Sequence, residues 1–304
     1  MKRIGALLLT FALLLTIFVG CDSDRQDPGS SSEESVSSSS SSQSSTSSSE
    51  PAADSVTASI PDFTPEIEEA REINDETVGW VEVYNTAIAD AVLLHVDKEG
   101  ESTKNNYYWR RNFKKEEGMP DSFNGVYYCD YRTDFGDYTR KDLPTNLTIY
   151  GHAMTDTPTS SQYEIKFGPL HDLRDPELAV DMPYIFFATD KEKFAYEICA
   201  VFTAHVTDSE FPYNNGSLNG EEFHKLVEEK ILPRSIYNYD SAKNLTDTDK
   251  YILLSTCIYV LPDGTQLGYP NDYRMVVMGR LVDEDAPMKK QATFTENEEL
   301  VIDK

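Results

Sequence analysis

Eight short runs rich in β-branched and aromatic residues, each closed off by polar turn residues, constrain this chain more than any other feature. They lie at 78–83, 91–96, 125–131, 146–151, 184–189, 193–206, 250–257 and 274–282. No helix-length segment alternates regularly with them, which disfavours a parallel sheet wound through βαβ units. The expected fold class is mostly β: an eight-stranded, largely antiparallel barrel with attached helices. Asp190-Lys191-Glu192-Lys193 is a predicted hairpin turn between the fifth and sixth runs.

Two helices are predicted beside the strands. Thr64-Pro65-Glu66 starts the first: Thr caps, Pro suits the first turn, and the acid favours the positive end of the dipole. It runs to about Ile73, where Asn74-Asp75 breaks it. The second follows Asn219, a capping residue, and extends to Leu232. Phe223, Leu226, Val227 and Ile231 share one face, and Pro233 ends it. Asn105–Trp109 is predicted as a short helix or turn that packs aromatics on the barrel.

The ends of the chain bear on its compartment. Met1-Lys2-Arg3 is followed by an uncharged apolar run from Ile4 to Gly20 and then by Cys21. A basic start, an apolar centre and a small residue before the cysteine describe an export signal at 1–21. The run is short for a spanning helix, which needs roughly 20 apolar residues. Residues 22–60 are dominated by serine, nearly unbroken from Ser37 to Ser49. Such a stretch has almost no apolar surface to offset the entropy of ordering it, and is predicted as a flexible linker. Residues 61–285 make one domain of ordinary size, and the polar, acidic 286–304 is predicted as a disordered tail. A formal net charge of -26 argues against nucleic acid as a partner, because phosphate binding needs clustered Lys and Arg.

Chemistry concentrates at the ends of three strands. Ile149-Tyr150-Gly151-His152 and Leu253-Leu254-Ser255-Thr256-Cys257 each deliver one reactive side chain, and Arg274 opens the last apolar run. A cysteine, a histidine and an arginine supply a nucleophile, a proton carrier and a donor to a developing oxyanion. Thr256 is a candidate substrate contact beside the sulfur. Arg280 lies an even number of residues from Arg274 and is the alternative oxyanion partner. Cys129 and Cys199 sit inside apolar runs and are expected as small buried hydrophobes, although an exported location also permits a disulfide between them. His95 is expected to be structural. No CxxC pair or His-rich cluster supports a metal, and no cofactor is called for.

Three motifs together resemble one family. Asp75-Glu76-Thr77-Val78-Gly79-Trp80-Val81 is similar to the family's passage into its first strand. Ile149-Tyr150-Gly151-His152-Ala153-Met154 is similar to its histidine motif. Leu254-Ser255-Thr256-Cys257, with Arg274-Met275-Val276-Val277 after it, is similar to its cysteine and arginine strands. From about Glu66 to Asp283 the chain resembles the class B sortases, cysteine transpeptidases of Gram-positive cell surfaces. The helix at 219–232 falls where class B members insert one between the sixth and seventh strands. Phe18-Val19-Gly20-Cys21 resembles a bacterial lipobox, with Cys21 as the lipid anchor and Phe18 in place of the usual aliphatic residue. The chain departs from the family at Ala153, where asparagine is frequent, in a longer 155–166 segment, and in a long 258–273 connection.

The resemblance implies catalytic roles for His152, Cys257 and Arg274. Cys257 would attack the threonine carbonyl of an LPxTG-like sorting signal at the C-terminus of a surface protein. The thioester would then pass to an amine of a cell-wall peptide cross-bridge or a pilin lysine. It also implies work at the outer face of the membrane, held by the N-terminal lipid or helix. A pilin-polymerising sortase, a papain-like cysteine peptidase and a non-catalytic surface-binding lipoprotein are the alternatives. The papain-like case fits less well, since such enzymes start a helix with the cysteine, whereas Cys257 ends a strand.

Overall fold

The structure, a computed structural model, describes residues 59–95 and 105–302. The export signal with Cys21, and the serine-rich linker up to residue 58, lie outside the described residues.

The chain closes an eight-stranded barrel. Its strands are β1 (Thr77–Val83), β2 (Ala89–Leu93), β3 (Tyr127–Cys129), β4 (Asn146–Tyr150), β5 (Tyr184–Ala188), β6 (Lys193–His205), β8 (Tyr251–Cys257) and β9 (Tyr273–Leu281), with β7 (Tyr237–Tyr239) set apart. Around the barrel the order is β1-β2-β3-β4-β8-β9-β6-β5. Most neighbours are antiparallel, but β2 with β3 and β4 with β8 run parallel. The parallel β4–β8 pair brings the ends of two strands far apart in sequence to the same rim. Asn146 to Tyr150 pair in step with Tyr251 to Ser255.

Helix α1 spans Thr64–Ile73 and buries Ile67 and Ala70. Thr64 is not its cap. Asp62 Oδ1 accepts from both the Thr64 amide at 3.1 Å and its hydroxyl at 2.8 Å. Asn74 ends α1 and is buried. Its side-chain amide donates to Tyr108 Oη at 3.0 Å and to the Phe113 carbonyl at 2.9 Å. This fastens the 105–113 segment to the start of the barrel. Between β4 and β5 lies a single turn, α2 (Pro176–Ala179), capped by the Asp175 side chain, which accepts from the Glu177 amide.

Strands β8 and β9 are apolar on both faces because both faces are covered. Ile252, Leu254, Met275 and Val277 point into the barrel core. Tyr251, Leu253, Val276 and Met278 point outward, under an insertion that carries Phe223, Val227 and Ile231. That insertion is α3 (Gly220–Leu226), continued by a π turn over Val227–Ile231 and a last turn at Leu232–Arg234. Asn219 caps α3 in a reciprocal box with Glu222, as the sequence pattern predicts. A π turn spans Val227–Ile231, and the side chains of both of those residues lie on the buried side. Pro233 is accommodated within the final turn rather than before it.

Residues 286–302 are not a disordered tail. Strand β10 (Phe294–Glu296) pairs with β7, and Phe294 packs on Tyr237 and Tyr239 with centroids 4.4 and 5.1 Å apart. The amide of Ala292 donates to the Val180 carbonyl, and that of Val301 to the Pro233 carbonyl. The polar composition hides this because the segment is anchored by backbone bonds and only a few apolar side chains. Cys129 and Cys199 are free thiols, both buried, with burial raising both thiol pKa values.

Candidate active site

Strand alternation places the three sequence-predicted residues on one face. In β4, Leu147 and Ile149 enter the core, so Asn146, Thr148 and Tyr150 point outward. Continuing two residues beyond Tyr150, His152 shares that outward face. Tyr150 pairs with Ser255, and Ser255 with Val276. One step further along the same face is the row His152, Cys257, Arg274, with Cys257 directly opposite Arg274 in the β8–β9 register. A slip of one residue in either pairing would turn the sulfur into the barrel.

All three residues line one cleft of about 400 Å³. Cys257 is partly exposed there, where burial in β8 stops. The imidazole of His152 bonds through Nε2 to the Trp109 carbonyl at 2.9 Å. A carbonyl only accepts, so Nε2 carries the hydrogen in the neutral ring and Nδ1 keeps the lone pair. Burial lowers the His152 pKa below its ordinary value. The Trp109 carbonyl opposes this shift, and the charges of Arg110 and Arg274 reinforce it. Gly125 makes room for the ring: its φ is +67°, and a Cβ there would meet His152 Cδ2 at 2.7 Å. Glycine is required on both counts.

Arg274 is oriented by its own strand entrance. Its Nη1 donates to the Tyr273 carbonyl at 2.6 Å and the Asn271 carbonyl at 3.2 Å. Asn271 is held in turn, its amide donating to the carbonyls of Ile258 and Gly268. The 258–273 connection is therefore an ordered part of the site. Residues 259–267 fold back as a small hairpin around Gly264, while Tyr259, Tyr269 and Pro270 face the cleft. Tyr259 Oη donates to the Ala153 carbonyl at 2.9 Å and ties the hairpin to the histidine segment.

Known proteins share this architecture, although no protein-family model matches the chain. It is 27% identical over 221 residues to sortase B of Listeria monocytogenes, covering 71% of this chain and 74% of that one. A Bacillus anthracis protein described as similar to sortase B is 27% identical. It superposes with a TM-score of 0.52 over 71% of this chain and 82% of its own. The Staphylococcus aureus sortase B–substrate complex shares the fold, with a TM-score of 0.55, 21% identity, and 73% and 87% of the two chains covered. A further sortase B structure with this fold is a complex with triglycine. In sequence and in fold the chain is similar to the class B sortases.

The structure bears on two expectations about single residues. Thr256 is not among the residues that line the cleft. It is 1% exposed, and its hydroxyl donates to the Gly151 carbonyl at 2.8 Å, on the core side of β8. Arg280 is out of reach at the far end of β9, opposite Tyr251 and paired with Asp249 at 3.0 Å. His95 is structural as expected. It pairs with Glu76 at 2.9 Å and stacks on Tyr107 with centroids 3.5 Å apart.

Other cleft residues carry no signal in the sequence. The 3₁₀ segment Tyr107–Arg110 divides its aromatics: Tyr108 is buried, whereas Trp109 is 51% exposed and faces the cleft with Arg110. Phe123, from another 3₁₀ turn, is 52% exposed on the same rim. Exposed aromatics in turns have no periodicity to betray them. His171 is equally unsignalled. It lies 5% exposed in the 3₁₀ segment Gly168–Arg174, behind the cleft and against the Cys257 backbone. Among the described residues there is no cluster of His, Cys, Asp and Glu that could hold a metal, and no helix long and apolar enough to cross a membrane.

Proposed function

We propose that this chain is a sortase that cleaves an LPxTG-like sorting signal through a thioester on Cys257 and transfers the protein to a peptide amine. The observation that carries this reading is the outward row of His152, Cys257 and Arg274, opening into a single cleft. His152 Nδ1 takes the thiol proton, and the thiolate attacks the threonine carbonyl. Arg274 donates to the oxyanion with the N–H groups not spent on Asn271 and Tyr273. As the threonine–glycine bond breaks, the imidazolium returns its proton to the departing amine. An incoming amine then attacks the thioester, gives its proton to His152 and releases the thiolate. Exposed Trp109, Phe123 and Tyr269 offer apolar surface for the signal's leucine and proline.

Related structures are complexes with a substrate and with triglycine, which supports a sorting peptide and an amine-bearing peptide as the partners here. A cell-wall cross-bridge is the favoured amine and a pilin lysine the alternative. Work at the outer face of the membrane, with Cys21 as lipid anchor or the apolar run as helix, completes the proposal.

The test is to incubate the chain with an LPxTG-type peptide and triglycine and follow the products by mass spectrometry. A ligated product and a covalent acyl adduct on Cys257 are expected from the wild type, and neither from Cys257→Ala. Hydrolysis without ligation would move the assignment to a cysteine peptidase. A wild type that neither binds nor acylates would leave a non-catalytic surface protein.

A further inference from the structure

The charge inside the cleft is opposite to that of the chain. The chain carries 53 Asp and Glu against 27 Lys and Arg, yet no carboxylate lines the cleft, and two arginines do. One is Arg274, committed to the strand row. The other, Arg110, comes from the Tyr107–Arg110 segment that also presents the Trp109 carbonyl to His152. Its guanidinium carbon lies 5.2 Å from the Trp109 ring centroid and 5.4 Å from that of Phe123. Cation–π contact with the rings holds a guanidinium in place without using its N–H donors. Among the described residues no carboxylate pairs with it. Its charge reaches His152, whose pKa it helps to lower, so it stands close to the reacting groups. A planar donor edge, steadied by two aromatics in an acid-free cleft, matches a carboxylate in bidentate geometry.

We infer that Arg110 is a specificity-determining residue that receives a carboxylate carried by the substrate close to the scissile or newly formed bond. The inference rests on the proposed transfer reaction for the cleft's identity as a substrate site. Two sources supply such a group: an acidic side chain at the variable position of the sorting peptide, or a carboxylate beside the amine of the acceptor.

Calorimetric titration of the full chain carrying Cys257→Ala separates them. In one arm the probes are Leu-Pro-Glu-Thr-Gly and Leu-Pro-Gln-Thr-Gly, and in the other lysine and lysinamide. At least about tenfold tighter binding of the carboxylate probe is expected in one arm, which then names the source. Arg110→Gln should collapse that preference to under about threefold, and Arg110→Lys should keep part of it, as charge without the fork. Equal affinities in both arms, or a preference that survives Arg110→Gln, overturn the inference. Binding to Cys257→Ala needs no turnover. A failure of thioester formation in the wild type would therefore sink the proposed reaction while this preference could still be read.

Discussion

Two cavities flank the end of β8, and they are built from opposite chemistry. The front cleft holds the His152–Cys257–Arg274 row, has arginines and aromatics, and lacks acids. The rear cavity, about 440 Å³, is lined by Asp156, Asp172, Asp175 and Glu296, with Arg174 and His171 among them. Each presents one histidine to the Cys257 neighbourhood. His152 is held by a carbonyl with one nitrogen left over. Both His171 nitrogens are buried without a well-formed hydrogen bond among the described residues, and the Cys257 backbone is the polar group they approach. Placement thus separates a ring able to exchange protons from a ring that supports the strand from behind. Carboxylates line the rear cavity, and none lines the front cleft.

The largest expected effect tests the front. If Arg274 acts as one oxyanion donor, Arg274→Ala should lower kcat by about 10²–10³-fold, roughly 3–4 kcal/mol of barrier. Arg280→Ala, which removes the pair with Asp249 and the bonds to the Lys243 and Asn244 carbonyls at the far end of β9, should leave kcat within about twofold. Steady-state transfer assays on both variants decide it. A near-normal rate for Arg274→Ala, or equal losses in the two, would remove the strand row from the mechanism.

The rear cavity predicts an effect on stability with a defined pH window. His171 has its pKa pushed down to about 4, first by burial and then by the Arg174 charge, with Asp156 and the Cys257 backbone opposing. Unfolded, the ring titrates near its ordinary value, about 6.5. Between these values the unfolded chain binds the extra proton, so stability falls as pH drops from about 6.5 to about 4. The loss from this group is about 3 kcal/mol. Urea titrations at several pH values should show that acid loss in the wild type and a shallower one in His171→Gln. Identical acid slopes would mean that the ring is not held neutral by its burial.

How much of this was legible in the sequence follows from what periodicity reports. Strands β4, β8 and β9, with helices α1 and α3, announced themselves through β-branched runs, helical spacing and caps. Because register is tied to side-chain alternation, the row of His152, Cys257 and Arg274 could be foreseen from strand ends. The rim could not. Trp109, Arg110, Phe123 and Tyr269 sit in 3₁₀ turns and a connection, where position depends on remote anchors such as the Asn74–Tyr108 bond. The C-terminal segment was misread for a related reason. Its order comes from backbone pairing with β7 and from a few apolar contacts, neither of which composition records.

Thr256 gives the smallest and sharpest comparison between the two sides of β8, because it alternates with Cys257 and faces away from the cleft. Its hydroxyl bonds the Gly151 carbonyl one residue before His152, just past the last paired residues of β4 and β8. That bond holds the histidine end of β4 beside the cysteine end of β8. Thr256→Val keeps the shape and leaves a half-buried carbonyl without this donor, a cost of about 1 kcal/mol read from the urea midpoint. The expected kinetic signature is a modest fall in kcat with KM unchanged, because the imidazole is less well placed while substrate contacts persist. Thr256→Ser retains the hydroxyl and should restore kcat. A rise in KM alone would return Thr256 to the substrate side and would mean that the two faces of β8 are not divided as their alternation implies.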